Sequence, residues 1–429
     1  MIRILFVLYH LAWLVALPFL RRFPRIALGW EQRTLRQAPD GPFDLWIQSA
    51  SGGESLLSNT IVAELASALP NGTSLRVLAT SGTQQGVDTL QKGLRQRGDN
   101  CQVDSAVSFF PFDSPPLMAK AFTRFTPRLI VVLETELWPG LLDQAKKHAV
   151  PVLLINGRMS KKSYRWYRHC RWIFQPISPK RIWAISEQDA NRFRDVLGTT
   201  TVEVMNNIKF DRIEPQNTLT IQPALEHLLS PNTPFILLGS IRKEEEDKIV
   251  STVAMLMKKR HDCIIGVFPK HIERADSWLA KLHDNNIVAV KRSLTTGPCQ
   301  PGTVIVWDTF GELAGAYGLA KATFIGGSLV DLGGQNFLEP LVFGLRPLIG
   351  PYWSNFSWVS REIVETGLVF EVADEKQLYA ELLNRIDCEE PRELVIEQVV
   401  QFLDPRKGGT RLASREIMKI LHPDIEYSI

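Results

Sequence analysis

No Cys-x-x-Cys pair occurs in this chain of 429 residues; its five cysteines, Cys101, Cys170, Cys263, Cys299 and Cys388, are widely scattered. That scatter excludes a structural zinc site of the usual spacing and a disulfide framework. It fits a reducing compartment in which each thiol packs as a small hydrophobe. Neither G-x-x-x-x-G-K-[ST] nor G-x-G-x-x-G occurs at the glycine-rich segments, which argues against an ATPase or a nicotinamide enzyme. An excess of one charge is missing too. Lys and Arg number 49 against 46 Asp and Glu, a net charge of +3, and no strong field points to nucleic acid. There is no short-period repeat and no low-complexity tract. A long uninterrupted apolar run is also absent, since Ile4–Leu20 is broken by Tyr9, His10 and Pro18 and falls short of the roughly 20 residues of a full span.

What is present is an ordinary globular mixture, 45% apolar and 22% charged, at a length that predicts two domains. Residues 1–25 stand apart. Trp13 within the apolar run, and Arg21, Arg22 and Arg25 after it, favour membrane contact with the basic end on the cytoplasmic side. No small-residue cleavage site follows, against a signal peptide. A short span, an interfacial helix and a core helix remain the competing readings.

The rest of the chain alternates short β-branched runs with helical stretches. Asp44–Ser49, Leu75–Thr80, Leu129–Leu133, Val152–Asn156 and Ile182–Ile185 read as buried parallel strands in the first half, with helices such as Glu54–Ala68 and Leu141–His148 between them. Phe235–Gly239, Cys263–Phe268, Val304–Val306 and Ala322–Ile325 repeat the style in the second half, where Lys243–Lys259 reads as an amphipathic helix. The pattern predicts an α/β protein of two doubly wound, Rossmann-like domains facing a cleft, at 26–212 and 213–429, with a linker near Asp211–Pro223. In such sheets ligands bind beyond the carboxyl ends of the strands, so chemistry is sought in the strand-to-helix loops.

Five loops stand out. Ser49-Ala50-Ser51-Gly52-Gly53-Glu54 follows a strand and opens a helix; Glu54 there can serve as a general base or, with Ser51, complete a capping box. Leu133-Glu134-Thr135-Glu136-Leu137-Trp138-Pro139 places two carboxylates after an apolar strand. Glu134 should point into a wet cleft or pair with a cation, while Glu136 can cap the next helix. Lys209, in Asn207-Ile208-Lys209-Phe210-Asp211, is either a cleft cation that neutralises an anionic substrate or a solvated side chain. Phe268-Pro269-Lys270-His271 with Arg274 makes a candidate anion site of low specificity. Finally Asp308-Thr309-Phe310-Gly311-Glu312-Leu313 precedes Gly326-Gly327-Ser328-Leu329 and Gly333-Gly334-Gln335-Asn336-Phe337-Leu338-Glu339-Pro340. Two Gly-Gly turns with Ser, Asn and Glu suit a nucleotide cradle: glycines admit phosphate to backbone amides, and a carboxylate can hold ribose hydroxyls.

In order, E-T-E-L-W-P (134–139), I-K-F-D (208–211), D-T-x-G-E-L (308–313) and G-G-S-L-x-x-x-G-G-x-N-x-L-E-P (326–340) resemble the bacterial 3-deoxy-D-manno-octulosonic acid (Kdo) transferases, a glycosyltransferase family of GT-B architecture. The resemblance implies CMP-Kdo as donor, a lipid A precursor of the lipid IVA type as acceptor, and an inverting displacement that uses no metal and no cofactor, at the cytoplasmic face of the bacterial inner membrane. It makes 26–212 the acceptor domain and 213–429 the CMP-sugar domain. By position it implies Glu54 as the base, Glu134 and Lys209 as the pair that stabilises the transition state, and Pro269, Lys270, Phe310, Gly311, Glu312, Asn336, Phe337, Leu338 and Glu339 as the CMP site. Ser240, Arg242, Gly326, Gly327 and Ser328 become candidate phosphate ligands.

The chain departs from the family pattern in places. A-S-G-G-E stands for V-S-V-G-E, Gln335 stands where the family has histidine in G-G-H-N, Arg242 replaces the histidine of S-T-H-x-G-E-E, and Lys270 replaces the arginine of P-R-H. The base survives in an altered turn, and the cations change geometry while keeping charge at 242 and 270. Two other readings are a GT-B transferase or epimerase acting on a UDP-sugar and a silent membrane scaffold; retention of Glu54, Glu134, Lys209 and Glu339 speaks against the scaffold.

Overall fold

The computed structural model describes residues 2–70, 72–97, 102–198, 201–215, 225, 227–230 and 233–424, with side chains at 2, 3 and 97 left aside. Cys101 and much of the expected linker, 216–223, lie outside them. The chain divides into two compact units, Met1–Arg212 with Arg406–Ile429, and Ile213–Pro405.

The first unit carries seven parallel strands: β1 Leu45–Ser49, β2 Leu75–Ser81, β3 Val103–Phe109, β4 Leu129–Leu133, β5 Val152–Gly157, β6 Arg181–Ala184 and β7 Thr201–Val204, in the order β3-β2-β1-β4-β5-β6-β7. Every residue of β1, β4 and β5 is buried, as expected for strands covered by helices on both faces. The second unit has β8 Phe235–Ile241, β9 Ile264–Pro269, β10 Ala289–Lys291, β11 Val304–Val306, β12 Ala322–Ile325, β13 Leu348–Ile349 and β14 Phe370–Glu371, in the order β10-β11-β9-β8-β12-β13-β14. Each unit is therefore a doubly wound α/β fold of the kind GT-B enzymes contain.

Strand order reverses between β1 and β4 in the first sheet, whose pairing sets Gln48 beside Val132, and between β8 and β12 in the second, which sets Gly239 beside Ile325. A crevice opens at such reversals because neighbouring connections leave toward opposite faces. The loops carrying Glu54 and Glu134 flank the first reversal; those carrying Arg242 and Gly326 flank the second.

The second domain does not run unbroken to 429. Helix Gly409–Leu421 packs in the first unit, where Ala413, Ile417, Met418 and Leu421 join the cluster of Ile61, Leu65 and Leu75. Asp211 holds its start, accepting the Gly408 and Thr410 amides at 2.6 Å each. Burial of that apolar face, rather than chain order, decides where the segment belongs.

Helix Ile2–Leu20 docks on the first unit by one side only. Tyr9 donates to Asp113 at 2.9 Å, and Trp13 packs on Phe112 with ring centroids 5.8 Å apart. Its other side leaves Ile4, Val7, Leu8, Leu11, Leu14, Val15 and Phe19 exposed, each about half or more. No helix among the described residues is long and apolar enough to cross a membrane.

Candidate functional site

In the first unit the site is built from the ends of β1, β4 and β7. Ser51, in extended conformation, caps helix Gly52–Ala68 by accepting the Glu54 amide at 3.5 Å. The Glu54 carboxylate folds back to accept the Ala50 amide at 2.5 Å and the Ser51 hydroxyl at 3.2 Å, so it reaches the residue before the cap rather than the Ser51 amide of a capping box. Capping and chemistry are thus not alternatives here. Burial pushes the Glu54 carboxyl up to about 7, the negative charges of Glu134 and Glu136 push the same way, and the two hydrogen bonds only partly oppose them. A carboxylate poised near neutrality is suited to taking a proton.

Glu134 leaves β4 at φ +56°, a left-handed conformation that turns the chain at the carboxyl end of this central strand. Its Oε1 receives the Lys209 ammonium at 2.6 Å. Lys209 is held in place from three directions. Asn207 accepts the Lys209 amide, Asn156 accepts the Ile208 amide, both at 3.0 Å, and Asp211 closes the one-turn helix Ile208–Asp211 onto residues 408–410. The lysine is therefore an ordered, half-buried cation, not a solvated one.

Glu136 does not cap the following helix, whose start carries no side-chain cap. It is half-buried, accepts from Trp138 Nε1, and is also hydrogen-bonded by Gln48. Burial raises its pKa. Gln48, fully buried in β1, receives the Thr80 hydroxyl at 2.6 Å, and Thr80 in turn receives Trp46 Nε1 at 2.8 Å. Gln48 and Tyr167, whose phenol is raised to about 12 by burial and by the Glu136 charge, were missed in the sequence because neither sits in a strand-to-helix loop.

In the second unit the organising group is Glu245, at 0% exposure. Its carboxylate accepts the amides of Ser328 at 2.9 Å and Leu329 at 2.8 Å, together with that of Gly327. The Gly326 amide goes to Gly239 O at 2.8 Å. The expectation that Gly326, Gly327 and Ser328 offer free amides to a phosphate is therefore corrected, because a carboxylate already occupies or β8 already pairs those donors. The two glycine turns instead lace together, Gly334 N to Gly327 O at 2.6 Å and Gln335 N to Gly326 O at 3.0 Å. The wall so formed leaves the cationic work to side chains. Arg242 Nε is buried without a hydrogen bond, its nearest carboxylate, Glu244, being 3.8 Å away. Ser240 beside it stands at φ +55°.

Glu312 also faces inward. It pairs with Arg292 through two 3.0 Å hydrogen bonds and accepts Trp307 Nε1 at 2.8 Å and the Thr309 hydroxyl at 3.0 Å. So braced, its turn presents Gly311, at φ +86° with open space where a Cβ would lie, and Phe310, 82% exposed. Phe337 is fully buried against Trp353 and Phe356, and Leu338 is buried too, so their side chains are core; only their backbone can meet a ligand. Asn336 donates to Glu339 at 2.9 Å. Burial raises the Glu339 pKa against the pull of Asn336 and of the Lys270 charge. Pro269 ends β9, and the Lys270 amide is tied to Ile241 O at 2.8 Å. No group of three or more His, Cys, Asp or Glu among the described residues could hold a metal ion.

Residues 23–212 match the family model described as 3-deoxy-D-manno-octulosonic-acid transferase (kdotransferase). The chain is 28% identical over 395 residues to a 3-deoxy-D-manno-octulosonic acid transferase of Rickettsia bellii, covering 91% of this chain and 90% of that one. It is 27% identical to the same-named protein of Haemophilus influenzae over 90% of this chain and 88% of the relative. A solved UDP-N-acetylglucosamine 2-epimerase matches with TM-score 0.57 at 14% identity, over 88% of this chain and 95% of that one, a likeness of fold alone. Motifs, the family match over residues 23–212 and the full-length relatives agree, and each makes the chain similar to the Kdo transferases, a family of glycosyltransferases.

Proposed function

We propose that the chain moves Kdo from CMP-Kdo to a lipid A precursor of the lipid IVA type at the cytoplasmic face of the bacterial inner membrane. The acceptor hydroxyl gives its proton to Glu54 as its oxygen bonds to the anomeric carbon of the donor sugar. The bond from that carbon to the CMP phosphate breaks on the opposite side, so configuration inverts and CMP departs with the electron pair. Glu134 lends negative charge to the oxocarbenium-like centre and Lys209 positive charge to the anionic sugar. Arg242 and Lys270 meet the phosphate, and Phe310, Gly311, Asn336 and Glu339 hold the cytidine, with Glu312 keeping its turn in shape. The reading asks these side chains to carry the reaction without a metal ion.

The observation that carries this reading is Glu54 near pH 7 beside a fixed Glu134–Lys209 pair, at the reversal point of the first sheet. The membrane part rests on the apolar side of helix Ile2–Leu20 and on Arg21, Arg22 and Arg25 after it, the makings of an interfacial helix with cations at headgroup level. Thermal shift with CMP against UDP tests the donor; stabilisation by UDP alone overturns it. Transfer from CMP-Kdo to a defined tetraacyl acceptor, followed by mass spectrometry, tests the reaction, with Glu54→Ala as the control that should be silent.

A further inference from the structure

A cavity of about 740 Å³ opens in the first unit where the N-terminal helix meets the loop after β2. Trp13, Leu20, Ile26, Phe112 and Gln85 are among the residues that line it. Arg25 also lines it, exposed and without a hydrogen-bond or ion-pair partner among the described residues. The second cation in the wall, Arg33, is already engaged, donating to Gly82 O at 2.7 Å and lying 4.5 Å over the Phe109 ring. The cavity therefore has an aromatic and aliphatic wall and one uncommitted guanidinium.

Two further features say what would fill such a space. Trp13 and Leu20 of this wall belong to helix Ile2–Leu20, whose other side is apolar and exposed, so the occupant lies beside the phase that this helix contacts. Gln85 lies against the helix that bears Glu54: a Cβ added at Gly52 would sit 3.0 Å from Gln85 Cδ. One ligand thus reaches from an apolar surface to the loop of the proposed base. Guanidinium matches phosphate in a bidentate way, and four apolar side chains match an acyl chain.

We infer that this cavity is the acceptor's lipid subsite, seating one acyl chain against Trp13, Leu20, Ile26 and Phe112 while Arg25 pairs with a phosphate on the acceptor's sugar head. The inference rests on the proposed lipid acceptor and adds where and by which residues it is gripped. An unacylated or unphosphorylated sugar would fill only half of the site, so the cavity selects for acceptors that carry both groups.

The test uses the full chain in detergent and a tetraacylated, bisphosphorylated glucosamine disaccharide as probe. Arg25→Glu reverses the charge and Ile26→Trp fills the apolar half; both lie at the rim of the fold, and an unchanged melting temperature checks that they fold. Binding of the probe is expected to weaken about tenfold or more in each variant. Removing the probe's phosphates should abolish the effect of Arg25→Glu while leaving that of Ile26→Trp. Equal affinity in wild type and both variants, failure of the wild type to bind, or displacement of the probe by an equal amount of phosphatidylglycerol each overturns the inference. A wild type that binds the probe but transfers no Kdo sinks the proposed reaction and leaves the cavity assignment standing. Transfer with an unchanged acceptor KM in both variants does the reverse.

Discussion

The Lys209 ammonium sits 2.6 Å from the Glu134 carboxylate, both side chains mostly buried, the lysine on backbone that Asn156 and Asn207 hold and the glutamate on backbone whose amide donates to Ile155 O at 3.1 Å. A pair in this setting does two things at once. It satisfies charges that would otherwise be costly to bury, and it keeps a cation and an anion at fixed positions beside Glu54 before any substrate arrives.

Removing one partner exposes both roles. Lys209→Met leaves Glu134 without its counter-ion and is expected to cost ~1–3 kcal/mol of unfolding free energy. Transfer should fall far more than that stability change explains. Urea unfolding beside a transfer assay separates the two, and a variant with wild-type turnover would deny Lys209 a part in the chemistry.

The Glu54 carboxyl, raised by burial from 4.5 to about 7, ties activity and stability to pH in opposite senses. The proposed base acts in its ionised form, so on that reading kcat/KM should climb through about pH 7 and level off above it. For stability, the folded chain holds this proton between pH 4.5 and about 7 after the unfolded chain has lost it. Its contribution is therefore complete below 4.5 and fades as pH rises to about 7. Glu54→Gln should flatten that fall, being more stable than the wild type at pH 8 and not at pH 4, as thermal melts across pH would record.

Glu245 makes a separate prediction. Its side chain takes the amides of Gly327, Ser328 and Leu329, so Glu245→Ala strands buried donors and should cost ~2–4 kcal/mol. The glycine turn should loosen with it. CMP is then expected to lose its thermal stabilisation of the protein even where the variant remains folded, and retention of a full CMP shift would mean that the turn does not shape the nucleotide site.

Central strands were legible because strands covered on both faces are apolar throughout: Leu129–Leu133 was read with its bounds unchanged, and Val304–Val306 likewise. Strands at or next to the sheet edges were not. Val103–Phe109 interleaves Asp104, Ser105 and Ser108 with its apolar residues, Thr201–Val204 buries only Val202, and Leu348–Ile349 is too short to make a pattern. Glu54, Glu134 and Lys209 could be singled out because carboxylates and a lysine beside apolar strands are conspicuous. Glu245 could not, since in the run Arg242–Glu246 it looks like one solvated charge among several. Its buried carboxylate takes its meaning from amides more than 80 positions away. Asp211 hides for the same reason, its partners lying 197 and 199 positions along the chain.

The most direct test is Kdo transfer by Glu54→Gln at pH 8 with saturating CMP-Kdo and acceptor. A glutamine oxygen can still accept the Ala50 amide, so the loop and CMP binding should survive while kcat falls by about 10²–10⁴-fold. A folded, CMP-binding variant that turns over at the wild-type rate would contradict the account.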